Sequence, residues 1–151
     1  MTINKVRDGL YRGSRPTTID DFRLLSKMGF RTVLNLENKD KIVEEEIKQM
    51  LNLQILEVSI PMGEILPPDM EQLIYTSNIL SCCNSDYLVF VHCLHGVDRT
   101  GCVILADRVK NCKWSFDKAY KEMLEMGHHV FFYRWWKYRL KEFTKKYGKE
   151  L

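Results

Sequence analysis

Apolar residues follow two rhythms along this chain. Short runs rich in β-branched and aromatic residues, at 10–12, 31–36, 54–60 and 87–91, predict strands. Between them, apolar residues at helical spacing predict helices over 18–28, 40–52, 67 to about 81, and 100–112. Thr17 or Thr18 is the expected cap of the first helix and Gly29 its stop, whereas Asp69 reads as a first-turn residue after Pro67-Pro68. The 40–52 segment is charged and amphipathic; 100–112 carries Val103, Ile104, Leu105, Ala106 and Val109. Near the C-terminus Phe132, Trp135, Trp136, Leu140 and Phe143 recur at helical spacing, with Arg134, Lys137, Arg139 and Lys141 among them. This predicts a last helix packed on the core with a cationic outer face; the alternative is a membrane-surface or partner-binding helix. His128-His129 precede it and read as a junction between helices.

Strands alternating with helices over 151 residues predict one α/β domain spanning residues 1–151. Its core is expected to be a mainly parallel sheet of four to five strands flanked by helices on both faces, with the site at the strands' carboxyl ends. Composition changes this picture little: 45% hydrophobic and 28% charged residues are ordinary for a globular chain. A net charge of +3 gives no nucleic-acid footprint. No apolar run approaches the roughly 18–20 residues that span a bilayer, and residues 1–10 lack a signal-peptide core. A cytoplasmic monomer without membrane insertion or nucleic-acid partner is expected. The five cysteines are odd in number and lack paired metal spacing, which predicts free thiols in a reducing compartment. Cys82 and Cys83 read as packing residues, a regulatory disulfide from one of them to Cys93 being the alternative. His92, Cys93 and His95 have no fourth partner to complete a tetrahedron, so neither a metal nor another cofactor is expected.

The chemistry concentrates in His92-Cys-Leu-His-Gly-Val-Asp-Arg-Thr-Gly101, between the strand at 87–91 and the helix at 100–112. Five residues separate Cys93 from Arg99, enough for a loop whose backbone N–H groups point inward at an oxyanion, beside the positive end of a helix. Such surroundings stabilise thiolate over thiol and lower a cysteine pKa from about 8.5 into the range of roughly 3.5–7.5. Arg99 brings a planar fork that holds two phosphate oxygens at once. Gly96 tolerates positive φ, and Gly101 allows close packing of helix on strand. Thr100 offers a hydroxyl to the Cys93 sulfur, and His92 is the residue that orients the loop from behind. Leu94, His95, Gly96, Val97 and Asp98 would line the phosphate. The plainer alternative makes Cys93 a small buried hydrophobe and Arg99 a surface cation; strand context, Gly96 and the Arg-Thr-Gly ending argue against coincidence.

His92-Cys93-x5-Arg99-Thr100-Gly101 resembles the signature of cysteine-dependent protein tyrosine phosphatases. Gly9-Leu-Tyr-Arg-Gly-Ser14, Leu24-Leu25, Met28-Gly29-Phe30 and Thr32-Val-Leu-Asn-Leu36 resemble the opening of compact dual-specificity phosphatases, to which cysteine phytases are similar. The resemblance covers roughly residues 10 to 125. It implies hydrolysis of phosphoric monoesters through a phosphocysteine, on a phosphorylated protein or a small phosphorylated compound such as an inositol phosphate.

Cleavage also requires a proton for the leaving oxygen, and two carboxyls compete to supply it. Ile60-Pro-Met-Gly-Glu64 stands where the family carries Ile-Pro-x-x-Asp, its general acid; here the carboxyl is Glu64. Asp98 is the other, because similar bacterial tyrosine and lipid phosphatases carry Asp-Arg at the loop's end with that Asp as acid; their usual Lys is Val97 here. Asp98 is slightly favoured, since the loop fixes its position. Arg12 and Arg15 follow the first strand and are candidates for holding extra phosphates, as are Lys39 and Lys41 for an inositol polyphosphate. Two rival classes remain: a rhodanese-type sulfurtransferase, whose loop is one residue shorter, and a catalytically silent phosphate-binding adaptor.

Overall fold

A computed structural model describes residues 1–37, 53–57, 60 and 66–148. Their element order is β1 (Asn4–Arg7), β2 (Leu10–Gly13), α1 (Ile19–Lys27), β3 (Phe30–Asn35), β4 (Gln54–Glu57), α2 (Met70–Leu80), β5 (Leu88–His92), α3 (Asp98–Lys110), α4 (Phe116–Glu125) and α5 (Trp136–Tyr147). The expected helix at 40–52 lies outside the described residues. The fold is α/β, with a five-stranded, mostly parallel sheet and five helices among the described residues. Two compact units divide the chain, Met1–Ser59 with Cys82–Gly96 and Ile60–Ser81 with Val97–Leu151.

The first unit holds the whole sheet, in the order β1-β2-β5-β3-β4. Strands β2, β5, β3 and β4 run parallel, and β1 joins β2 antiparallel at the edge. The central strand β5 is the one with an unbroken apolar run, Leu88-Val-Phe-Val91, as a strand buried along its length requires. Phe90 lies opposite Tyr11 on β2 and Val33 on β3. Phe22 and Leu25 of α1 pack on Phe30, Val33, Leu53 and Phe90, with Phe30 edge-on to both Tyr11 (5.1 Å) and Phe90 (5.8 Å). A capping box between Thr18 and Asp21 starts α1, and Gly29 at φ +95° ends the turn beyond it. Strand β1 was not predicted: Asn-Lys-Val-Arg has no buried face, and pairing of Asn4 with Arg12 and Lys5 with Tyr11 supplies the structure instead.

The second unit is helical. Leu73 of α2, Cys102, Leu105, Ala106 and Val109 of α3, Ala119, Tyr120 and Met123 of α4, and Trp136, Leu140 and Phe143 of α5 form its core. Arg108 grips Glu122 through Nε (3.0 Å) and Nη2 (2.9 Å) and lies over the Trp114 ring, tying α3 to α4. Asp69 turns out to be the N-cap of α2, in a capping box with Gln72. Helix α4 has no counterpart in the sequence prediction. The last helix packs on the core as expected, but it begins only at Trp136; Phe132 and Trp135 lie in the preceding turns and are exposed, so the helical period does not reach them. No disulfide joins the five cysteines, all of which lie among the described residues; Cys83 is buried as predicted, while Cys82 is exposed.

Candidate active site

Strand β5 ends at His92, and the chain continues without interruption through residues 93–97 into α3. The part up to Gly96 belongs to the sheet unit. Cys93 is buried there, and the His92 ring, stacked 6.0 Å from Phe90, holds Nδ1 3.1 Å from the Cys93 carbonyl oxygen. Leu36 N–H donates to the His92 carbonyl (3.0 Å), which fixes the end of β5 beside the end of β3. Gly96 has φ +74°, and a Cβ there would sit 2.3 Å from the Gly13 carbonyl oxygen. Only glycine makes this bend. Leu94 and His95 are exposed and Val97 is half-buried.

The two arginines proposed as phosphate holders are engaged elsewhere. Arg12 is buried, and its Nη2 donates to the Gly96 carbonyl at 2.9 Å, so it braces the loop from beneath. Arg15 donates through its backbone N–H to Leu94 O (3.1 Å), while its guanidinium sets Nε and Nη2 on the buried Glu37 carboxylate at 2.6 and 2.8 Å. Glu37 is held in turn by its own N–H on Asn35 Oδ1 (2.8 Å). Sequence reasoning missed Glu37 as Arg15's partner, because nothing local marks a pairing across 22 residues.

Asp98, Arg99 and Thr100 form the first turn of α3 in the helical unit, two residues earlier than the predicted start. Among the described residues no side chain caps this end, and Gly101 N–H closes the first helical bond on Val97 O at 2.8 Å. Arg99 is buried, with Nη1 3.3 Å from the Ile60 carbonyl. The Thr100 hydroxyl is buried without a hydrogen-bond partner among the described residues. Asp98 is buried and fully committed. His128 Nδ1 (2.7 Å) and His129 N–H (2.9 Å) reach its Oδ1, and His129 Nδ1 (2.7 Å) reaches its Oδ2. Burial alone pushes this carboxyl's pKa up, but the hydrogen bonds from His128 and His129 outweigh it and hold the pKa at about 2. The sequence read these histidines only as a junction, since a pairing across 30 residues has no local spacing signal. Glu64, Lys39 and Lys41 lie outside the described residues. No group of three or more His, Cys, Asp or Glu suited to a metal occurs among the described residues.

Read along the chain, residues 93–99 carry a thiol, successive backbone amides and a guanidinium, the residue types that oxyanion binding and nucleophilic attack require. Comparisons with known proteins identify the family and the fold. A family described as "Polymorphic toxin system, DSP-PTPase phosphatase" matches residues 7–112. Among solved structures, Tk-PTP in its active form is 16% identical, with a TM-score of 0.75 over 95% of this chain and 97% of that one. The core catalytic domain of the PP-IP phosphatase SIW14 from S. cerevisiae, in complex with citrate, is 19% identical, with a TM-score of 0.73 over 95% of this chain and 89% of that one. TpbA from P. aeruginosa, in complex with pTyr, is 17% identical, with a TM-score of 0.74 over 95% of this chain and 88% of that one. A comparison with curated protein sequences finds no match.

Proposed function

Since the chain belongs to the DSP-PTPase phosphatase family of polymorphic toxin systems, we propose that residues 1–151 act as one phosphatase domain that cleaves phosphoric monoesters of the phosphotyrosine type through Cys93. The phosphate dianion docks on the loop amides of residues 94–99 and on the Arg99 fork. Cys93 Sγ attacks phosphorus in line, the S–P bond forming as the bond to the ester oxygen breaks. Water then displaces sulfur and releases inorganic phosphate. Thr100, whose hydroxyl is buried without a partner among the described residues, supplies a donor to the sulfur as it leaves.

The departing oxygen must be protonated, and here the geometry argues against the favoured candidate. Three N–H donors and a pKa of about 2 keep Asp98 as an anion that accepts hydrogen bonds and has no proton to give. We therefore assign proton delivery to Glu64. Replacing Glu64 by Gln should slow hydrolysis of a phosphotyrosine peptide by about a hundredfold, and of para-nitrophenyl phosphate much less, because that leaving group departs without a proton.

The observation that carries the substrate class is the engagement of Arg12 and Arg15. These guanidinium groups sit on Gly96 O and Glu37, and the signature run itself carries Leu94, His95 and Val97 and one arginine, Arg99, which suits a single phosphate. TpbA, solved with pTyr, fits that reading better than SIW14, a PP-IP phosphatase. A panel of phosphotyrosine and phosphoserine peptides, inositol phosphates and phosphoinositides tests it, run with wild type and Cys93→Ser. The expected result is highest kcat/KM on phosphotyrosine and no turnover by Cys93→Ser. A preference for an inositol polyphosphate would overturn the substrate assignment.

A further inference from the structure

The reaction as proposed gives no task to His128 or His129, yet together they place three hydrogen bonds on Asp98. We propose that the two histidines form a clamp on Asp98 that fixes the first turn of α3, and that they are positioning residues for the Arg99 and Thr100 that follow. This rests on the phosphatase reading above.

Both carboxylate oxygens are tied: Oδ1 by His128 Nδ1 and the His129 amide, Oδ2 by His129 Nδ1, at 2.7, 2.9 and 2.7 Å. A carboxylate held at both oxygens cannot rotate about its own axis, so residue 98 is pinned at the point where α3 begins. A carboxylate only accepts, hence each imidazole must carry its proton on Nδ1. For His128 this leaves Nε2 buried with no partner among the described residues, a cost that a phenylalanine in the same pocket would not incur. The imidazole is accounted for by its Nδ1–H.

The clamp is itself anchored. The His128 ring is enclosed by Tyr120 (6.4 Å between centroids), Tyr133 (6.3 Å) and Trp136 (6.1 Å), and the His128 backbone N–H donates to Met123 O at the end of α4 (3.2 Å). Val130 N–H on His128 O and Tyr133 N–H on His129 O, both at 3.0 Å, stiffen the turn that follows. Gly127, at φ +99°, makes the reversal that presents the pair to Asp98. The chain between α4 and α5 is thereby fastened to the turn that carries Arg99.

Half-exposed His129 allows a test that leaves the core intact. In the full chain, His129→Ala should weaken vanadate inhibition about tenfold, the loss of one charge-assisted hydrogen bond, and speed amide hydrogen exchange across residues 97–101. His129→Asn, which keeps an N–H donor near the same place, should restore most of both. Asp98→Asn should reproduce the defect, and adding His129→Ala to it should cost no more, since the two act through one contact. Wild-type vanadate affinity and exchange in His129→Ala, or additive losses in the double variant, would overturn the clamp alone. Failure of the wild-type chain itself to bind vanadate would overturn the phosphatase reading and the clamp's purpose with it.

Discussion

At residue scale the chemistry proposed for the loop divides into groups assigned to react and groups assigned to hold them. Cys93, Arg99 and Thr100 are consecutive enough for the chain to announce them, because a ring of amides is a local object that local sequence encodes. Their supports were not legible. Glu37 under Arg15, and His128 with His129 under Asp98, are contacts across tens of residues, and only folding brings them together. In the proposed mechanism the same contacts make Asp98 an anchor rather than the proton donor, and they make it a source of acid sensitivity. Its folded pKa of about 2 lies below its unfolded value of 3.8, so its stabilisation is present above pH 4 and is lost as pH falls toward 2. The full contribution is on the order of 2 kcal/mol. Thermal unfolding of wild type and Asp98→Asn across that window should show the two converging at the acid end; a constant gap would remove the carboxylate as the cause.

At the scale of elements, the strands were readable where burial forced β-branched runs, as in β3 and β5. Strand β1 escaped notice because its partner β2 creates it through backbone bonds. Helix α3 starts at Asp98 rather than Thr100 because the first turn is polar, and hydrophobic periodicity does not reveal polar turns. The sharpest constraint lies between β5 and α3. Gly96 combines φ +74° with a Gly13 carbonyl 2.3 Å from where a Cβ would stand, and Arg12 donates to its carbonyl. Gly96→Ala is therefore expected to cost about 1–3 kcal/mol of stability and to lower kcat/KM by at least tenfold. Urea unfolding and steady-state kinetics check both. An alanine enzyme as stable and active as wild type would mean that the bend is not needed.

At the scale of the whole molecule, the sheet unit has its core around Phe30 and Phe90, the helical unit has its own around Trp136 and Phe143, and the signature loop runs covalently from one to the other. The alternation of strand and helix patterns foretold an α/β chain and nothing about this division, because both units draw on the same kinds of apolar residue. No helix among the described residues is long and apolar enough to cross a membrane. A ligand that binds only the folded loop raises the stability of the chain by mass action, by about 2.7 kcal/mol at a hundred times its dissociation constant. Vanadate should accordingly raise the melting temperature of wild type and of Cys93→Ser, and should leave Arg99→Met unmoved.

The central claim is a covalent one, and rapid quenching of the enzyme in mid-turnover with a phosphotyrosine peptide, followed by mass spectrometry of its peptides, tests it most directly. The account predicts a phosphoryl group on the peptide bearing Cys93, transient in wild type and missing in Cys93→Ser. Steady turnover with no such adduct, or with a Cys93→Ser enzyme that still hydrolyses the peptide at the wild-type rate, would contradict it.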